Sequence, residues 1–140
     1  SKNIIEIIKA HPKLESLDLS GNGNNNVDND VLAAIANCPN LHTLNLSDNE
    51  IGTEGAETIA DVLRENKTLQ NLDLFNNNIG TEGAQSIASA LRENTTLTEL
   101  NINHNNIRPQ GEQEIASALR FNNPFFSKNF KSYWPSFYNL

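Results

Sequence analysis

The chain repeats one spacing of apolar residues, L-x-x-L-x-L-x-x-N, four times. Its copies start at Leu14, Leu41, Leu69 and Leu97, and the last three starts are 28 residues apart. The L-x-L alternation is typical of a short strand that buries one face and exposes the other. An asparagine closes each copy, and we expect its amide to bond backbone groups that the turning chain leaves unpaired. These asparagines are Asn22, Asn49, Asn77 and Asn105.

The second half of each repeat changes to a helical period. In the I-A-x-x-L segment two apolar residues lie four positions apart, which places them on one face of a helix. Before the helix, Gly52 and Gly80 permit a turn. Thr53 and Thr81 are placed to cap the helix, and Pro109 takes that position in the last copy. The apolar pairs are Ile59/Leu63, Ile87/Leu91 and Ile115/Leu119, and the isoleucines that fill the core ahead of each turn are Ile51, Ile79 and Ile107.

The pattern divides the chain into three parts. Residues 1–13 match the second half of a repeat and predict a helix, residues 14–124 hold four repeats of 27 or 28 residues, and residues 125–140 are rich in aromatic side chains. The first repeat reads GNGNNN at residues 21–26 and lacks the isoleucine. We therefore expect this loop to be the most mobile connection in the chain.

These motifs resemble the leucine-rich repeats of the ribonuclease-inhibitor type, a cytosolic class with a full helix in each repeat. The resemblance covers residues 4–124 and implies an α/β right-handed solenoid, a horseshoe segment with parallel strands on the concave face and α-helices on the convex face. The energetics of repeats favour the same architecture, because one strand–helix unit cannot bury its apolar stripe until neighbours stack on it.

The amino-acid composition limits the classes of function that the chain can have. Hydrophobic residues make up 37% of the chain, which suits repeats that share one core, and the net charge of −7 argues against a nucleic-acid partner. The single cysteine, Cys38, favours a reducing compartment, so we expect a cytoplasmic protein. No apolar run approaches the ~20 residues of a membrane span. The absence of methionine indicates either a processed chain or a piece of a longer protein, so the sequence leaves open whether flanking domains exist.

Motifs for chemistry are weak, and we expect no enzyme, no cofactor and no metal. Asp18, Ser20, Asn22 and Gly23 fit the start of a calcium loop, but Asn29 stands where such a loop needs glutamate. Cys38 occupies the position that closes a repeat, so we interpret it as a structural thiol rather than a nucleophile. Three glycosylation sequons, at Asn45, Asn66 and Asn94, are attributed to chance in an asparagine-rich chain.

The outward strand positions predict the binding face. This face holds acidic and amide side chains, no lysine or arginine, and one aromatic residue, Phe75, where other repeats have serine or asparagine. An aromatic side chain within a polar rim is typical of an interface anchor. We therefore expect a protein partner with a basic patch. The predicted protein-binding residues are Asp18, Asn45, Asp48, Asn71, Asp73, Phe75, Glu99, Asn101 and Asn103.

The last twenty residues carry eight of the nine aromatic side chains and two lysines, with no acid. They predict either a cap on the last repeat or an interaction tail, which could contact a membrane surface or a second copy. We expect a monomer, with dimerisation through the tail as the alternative.

The resemblance implies a non-catalytic protein–protein interaction module that binds its partner on the concave strands. Two alternatives stay open. One is a regulator of a small GTPase, similar to the activators of that class, acting through the loop edge where Asn49, Asn77 and Asn105 line up. The other is the recognition domain of a larger protein, such as a bacterial effector delivered into the host cytoplasm.

Overall fold

A computed structural model describes residues 2–21 and 27–122, in which helices and strands alternate. The helices are α1 (Lys2–Ala10), α2 (Asn29–Ala36), α3 (Gly52–Glu65), α4 (Gly80–Leu91) and α5 (Pro109–Asn122). The strands are β1 (Ser16–Asp18), β2 (Thr43–Asn45), β3 (Asn71–Asp73) and β4 (Glu99–Asn101).

The four strands form one parallel sheet in the order β1-β2-β3-β4. The central leucines of neighbouring strands pair directly, with Leu44 opposite Leu72 and Leu72 opposite Leu100. A parallel connection needs a crossover, and each helix from α2 to α4 supplies one. The helices then lie side by side, each from α1 to α4 packed against the next. This arrangement confirms the predicted α/β leucine-rich repeat solenoid.

The core contains the residues that the repeat pattern predicts. Leu44 and Leu46 from the strand segment meet Ile59 and Leu63 from α3, and none of the four is more than 2% exposed. Burying one such side chain contributes about 1.5–3 kcal/mol. Because the same positions are filled in the next repeat, the burial continues from unit to unit, as the shared-core interpretation requires.

The asparagine row, formed by Asn49, Asn77 and Asn105, joins one repeat to the next. Asn77 is fully buried, and its amide nitrogen donates to the carbonyl oxygens of Leu46 at 2.8 Å and Leu74 at 3.1 Å. Its side-chain oxygen accepts from the backbone nitrogens of Asn49 at 2.9 Å and Ile51 at 3.3 Å. The predicted structural role of these asparagines is confirmed.

A second pair of asparagines closes the helices. Asn66 and Asn94 are each 4% exposed, and each side-chain oxygen accepts from a backbone amide at the start of the next repeat, Leu69 for one and Leu97 for the other. The Asn94 amide nitrogen also donates to the Leu63 carbonyl oxygen at 2.8 Å. A glycan on either side chain would break these bonds, which favours the interpretation of these two sequons as chance matches.

The prediction that threonines cap the helices is wrong. Helix α3 begins at Gly52, which has a φ of +70°, and no side chain bonds the first amides at its N-cap, Ile51. The Thr53 hydroxyl instead donates to the Ile79 carbonyl oxygen at 3.0 Å. Repeat stacking places that carbonyl within reach, so this hydroxyl links successive repeats rather than ending a helix.

Several sequence predictions fall outside the described residues. They include the role of Asn22, the mobility of the asparagine-rich loop, and the choice between cap and tail for residues 125–140. The boundaries at 13 and 124 stay predictions as well. Within the described part of the chain, none of the helices is long and apolar enough to cross a lipid bilayer.

Candidate protein-binding site

The sheet register brings the outward strand residues into two rows. Ser16, Thr43, Asn71 and Glu99 pair in one row, and Asp18, Asn45, Asp73 and Asn101 pair in the other. Neighbouring strands of a sheet lie about 4.8 Å apart, so each row presents polar groups at that interval. The sequence prediction therefore places these side chains together correctly.

The second row uses part of its hydrogen-bonding capacity to end the strands. One side-chain oxygen of Asp73 accepts from the backbone nitrogen of Phe75 at 2.9 Å, and Asn45 bonds Ser47 in the same way, also at 2.9 Å. This local turn fixes the side chain, and an aspartate keeps a second oxygen for a ligand.

Asp18 shows the same turn at the exposed edge of the sheet. The hydroxyl and the backbone amide of Ser20 both hydrogen bond its carboxylate and lower the pKa of Asp18. The carboxyl group is therefore ionised throughout the neutral range. The bonded turn also favours the structural interpretation of Asp18 and Ser20 over a calcium loop.

Phe75 is half-buried rather than freely exposed, which modifies the expectation from the sequence. Its ring meets the ring of His104 edge-on, with centroids 4.9 Å apart and planes at 66°. His104 comes from the following repeat, so the sequence pattern gave no signal for this contact. The pair fixes an aromatic surface at the border between strand face and loops.

A cleft on the concave face collects most of the predicted residues. The strand-face cleft has a volume of about 330 Å³ and is lined by Thr43, Leu44, Asn45, Asn71, Leu72, Asp73, Glu99 and Asn101. Asp18 lies at the edge strand beyond it, while Asp48, Phe75 and Asn103 lie past the strand ends. The predicted set therefore spans the cleft and its borders.

A larger recess follows the strand ends. The loop-edge recess has a volume of about 710 Å³ and is lined by Asp48, Glu50, Asn76, Asn77, Asn78, His104 and Asn106. Of these, only Asp48 was predicted as a binding residue. Glu50, Asn76, Asn78, His104 and Asn106 have left-handed backbone angles, which sequence spacing does not reveal.

The ion pairs and the strand rows lie on different faces. Both ion pairs of the described residues involve Arg64 on the helix side, with Glu93 at 2.7 Å and Asp61 at 3.3 Å. The strand rows contain three acidic residues and no basic ones. The concave face is accordingly negative, and its carboxylates are not neutralised by lysine or arginine within the rows.

The other candidate chemistry finds no site in the described residues. They hold no group of three histidine, cysteine, aspartate or glutamate side chains that could bind a metal ion. Cys38 is buried, and burial raises the pKa of its thiol, which disfavours the reactive thiolate. The asparagine row on the loop edge is buried and bonded to backbone, and regulation of a small GTPase through this edge stays a prediction.

Comparison with known proteins agrees with this geometry. A family model described as Leucine Rich repeat matches residues 10–23, 37–60, 65–88 and 93–116, more than half of the chain. The chain belongs to the leucine-rich repeat family. No curated protein matches it.

Two solved structures are similar to the chain. One, described as leiomodin-1 actin-binding site 2, is 26% identical with a TM-score of 0.70, covering 86% of this chain and 72% of that one. The other, the tropomodulin C-terminal domain of Caenorhabditis elegans, is 11% identical with a TM-score of 0.49, covering 86% of this chain and 92% of that one.

Proposed function

We propose that this chain is a non-catalytic protein-binding module that holds a partner protein against its concave strand face. The observation that carries the proposal is the pair of polar rows on a rigid parallel sheet, bordered by the half-buried Phe75. An aromatic side chain bordered by polar groups has the arrangement of an interface anchor beside a polar rim.

The negative charge of the concave face indicates the charge expected of the partner. Asp73 and Glu99 belong to the strand-face cleft, and Asp18 and Asp48 lie at its borders. A partner with a basic surface would be steered to this face and held in register by it. A cytoplasmic location, inferred from the lone buried thiol, completes the proposal.

Actin is the first partner to test. The structure of leiomodin-1 named for actin binding shares the fold at 26% identity over most of both chains. Binding of purified actin to the full chain can be measured by fluorescence anisotropy or surface immobilisation. If actin does not bind the wild-type chain, actin is eliminated, and partners are then sought by affinity capture with the variants below.

Asp73→Asn tests the face with little risk to the fold. Asn45 and Asn101 hold the equivalent positions and make the same turn bond, so the variant removes only a charge. We expect partner affinity to fall about threefold to fivefold at low salt, in line with the ~1 kcal/mol of one charge pair. Phe75→Ala should weaken binding more than about tenfold.

Glu57→Gln is the matched control, because Glu57 is exposed on the helix side in α3. It removes the same charge at a distance from the strand rows. A partner that loses affinity equally with Glu57→Gln and Asp73→Asn is attracted by net charge alone. Unchanged affinity in both Asp73→Asn and Phe75→Ala would show that the concave face is not the binding surface.

A further inference from the structure

The loop-edge recess is a second polar site beside the strand-face cleft. The two share a border at the edge-on ring pair, since Phe75 follows β3 and His104 lines the recess. A partner lying on the strand rows would therefore reach the recess without leaving the surface.

The backbone around the recess is left-handed at six non-glycine residues, with φ between 52° and 59°. Five of them are asparagine, aspartate or histidine, which tolerate this conformation better than other side chains do. Glu50 is the exception, at φ 52°. Asn78 and Asn106 hold the equivalent position in the next two repeats. The chain thus has a glutamate at this position, where the next two repeats have asparagine, which suits the left-handed backbone better.

The walls of the recess are held by amides that bridge repeats. The Asn76 amide nitrogen donates to Asp48 at 2.8 Å, and the Asn106 amide nitrogen donates to Asn78 at 2.9 Å. Asp48 and Glu50 are both exposed, and neither forms an ion pair with any described residue. Two carboxylates therefore face an open, amide-lined space, and no lysine or arginine of the described residues lines it.

We propose that the loop-edge recess receives a cationic side chain, arginine in preference to lysine, from the protein bound on the concave face. The planar guanidinium has several donors that can serve carboxylate and amide oxygens together, and it stacks favourably beside aromatic rings. The volume of about 710 Å³ accommodates the side chain with its flanking backbone. This proposal rests on the proposed function, since it assigns the contact that anchors the same partner.

The first experiment uses N-acetyl-arginine amide as the probe and N-acetyl-citrulline amide, its uncharged isostere, as the matched control. Each is titrated into the full chain and followed by two-dimensional amide NMR. We expect saturable shifts at residues 48–50, 76–78 and 104–106 with the arginine probe, and at least threefold weaker binding of citrulline. Equal binding of both probes, or shifts spread over the acidic helix side, would overturn the proposal.

The second experiment uses Glu50→Asn, the residue that the chain itself carries at the equivalent positions. We expect at least a threefold loss of affinity for the arginine probe with a melting temperature no lower than wild type. Glu57→Gln on α3 is the control and should bind the probe as the wild type does. Unchanged probe affinity in Glu50→Asn would reject the recess as the arginine site. Unchanged partner affinity in both Asp73→Asn and Phe75→Ala would instead reject the concave-face function.

Discussion

Removing one buried asparagine should destabilise the solenoid far more than its size suggests. Asn77→Ala deletes an amide whose nitrogen donates to three carbonyl oxygens and whose oxygen accepts from two backbone nitrogens. The side chain is fully buried, so water does not reach the groups left behind without opening the stack.

The size of the effect follows from those bonds. Each buried backbone group left without a partner costs about 1–3 kcal/mol. The backbone nitrogens of Asn49 and Ile51 lose Asn77 as their acceptor. The carbonyl oxygens that Asn77 bonds also accept from other donors, so their loss is smaller. We therefore expect Asn77→Ala to lower the free energy of unfolding by about 3–5 kcal/mol. Domains of this size have roughly 5–15 kcal/mol in total, so a large part of the stability would be lost.

Urea denaturation followed by circular dichroism measures this loss. Asn71→Ala is the matched control, because Asn71 is half-buried on the strand face and its side chain makes one bond, to the Thr43 hydroxyl at 3.3 Å. The control should change the free energy of unfolding by less than about 1 kcal/mol. If Asn77→Ala costs no more than the control, the asparagine row does not hold the repeats together.

Three further predictions address packing, backbone strain and pH. Gly83→Ala should lower the free energy of unfolding by about 1–3 kcal/mol, because a Cβ there would lie 2.6 Å from Ile79 Cγ2 and 2.9 Å from Ala56 Cβ. An unchanged urea midpoint would contradict the close approach of α3 and α4. Glu50→Asn should raise the free energy of unfolding by about 0.5–1 kcal/mol, since asparagine suits the left-handed backbone better than glutamate does. A lower melting temperature of the variant would argue against backbone strain at Glu50. Burial raises the pKa of Glu112, so its contribution to stability is present below its unfolded pKa and is lost as pH rises through the folded pKa. Glu112→Gln should accordingly stabilise the chain at about pH 7 and have little effect near pH 4, and a pH-independent difference in melting temperature would contradict this assignment.

The interior of this fold could be predicted from the sequence because repetition shows which positions the structure constrains. Leu44, Leu72 and Leu100 pair across the sheet as the shared register requires, and Asn77 makes the backbone bonds expected from its place at the strand end. The structure at such positions follows from the local periodicity and from identical residues in the neighbouring repeats. A single sequence shows both.

The contacts between different repeats could not be predicted in the same way. Thr53 was expected to cap its own helix, yet its hydroxyl reaches the carbonyl of Ile79 in the next repeat. Phe75 was expected to be exposed, but it is half-buried and its ring packs edge-on with that of His104 from the next repeat. Both outcomes depend on the distance and rotation between units, which follow from packing and not from spacing along the chain.

The residues at which one repeat differs from the others therefore tell most about function. Ala56 and Ala84 are fully buried on the stacked helices, and Glu112 holds the equivalent position on α5. Burying a carboxylate costs far more than burying a methyl group, and the raised pKa of Glu112 records that cost. Glu50 and Phe75 also depart from the other repeats, but they lie on the loop and strand edge where no neighbouring helix needs them. A residue that breaks the pattern without serving the core is free to contact a partner, and this is why substitutions at Phe75 and Glu50 test the two binding proposals.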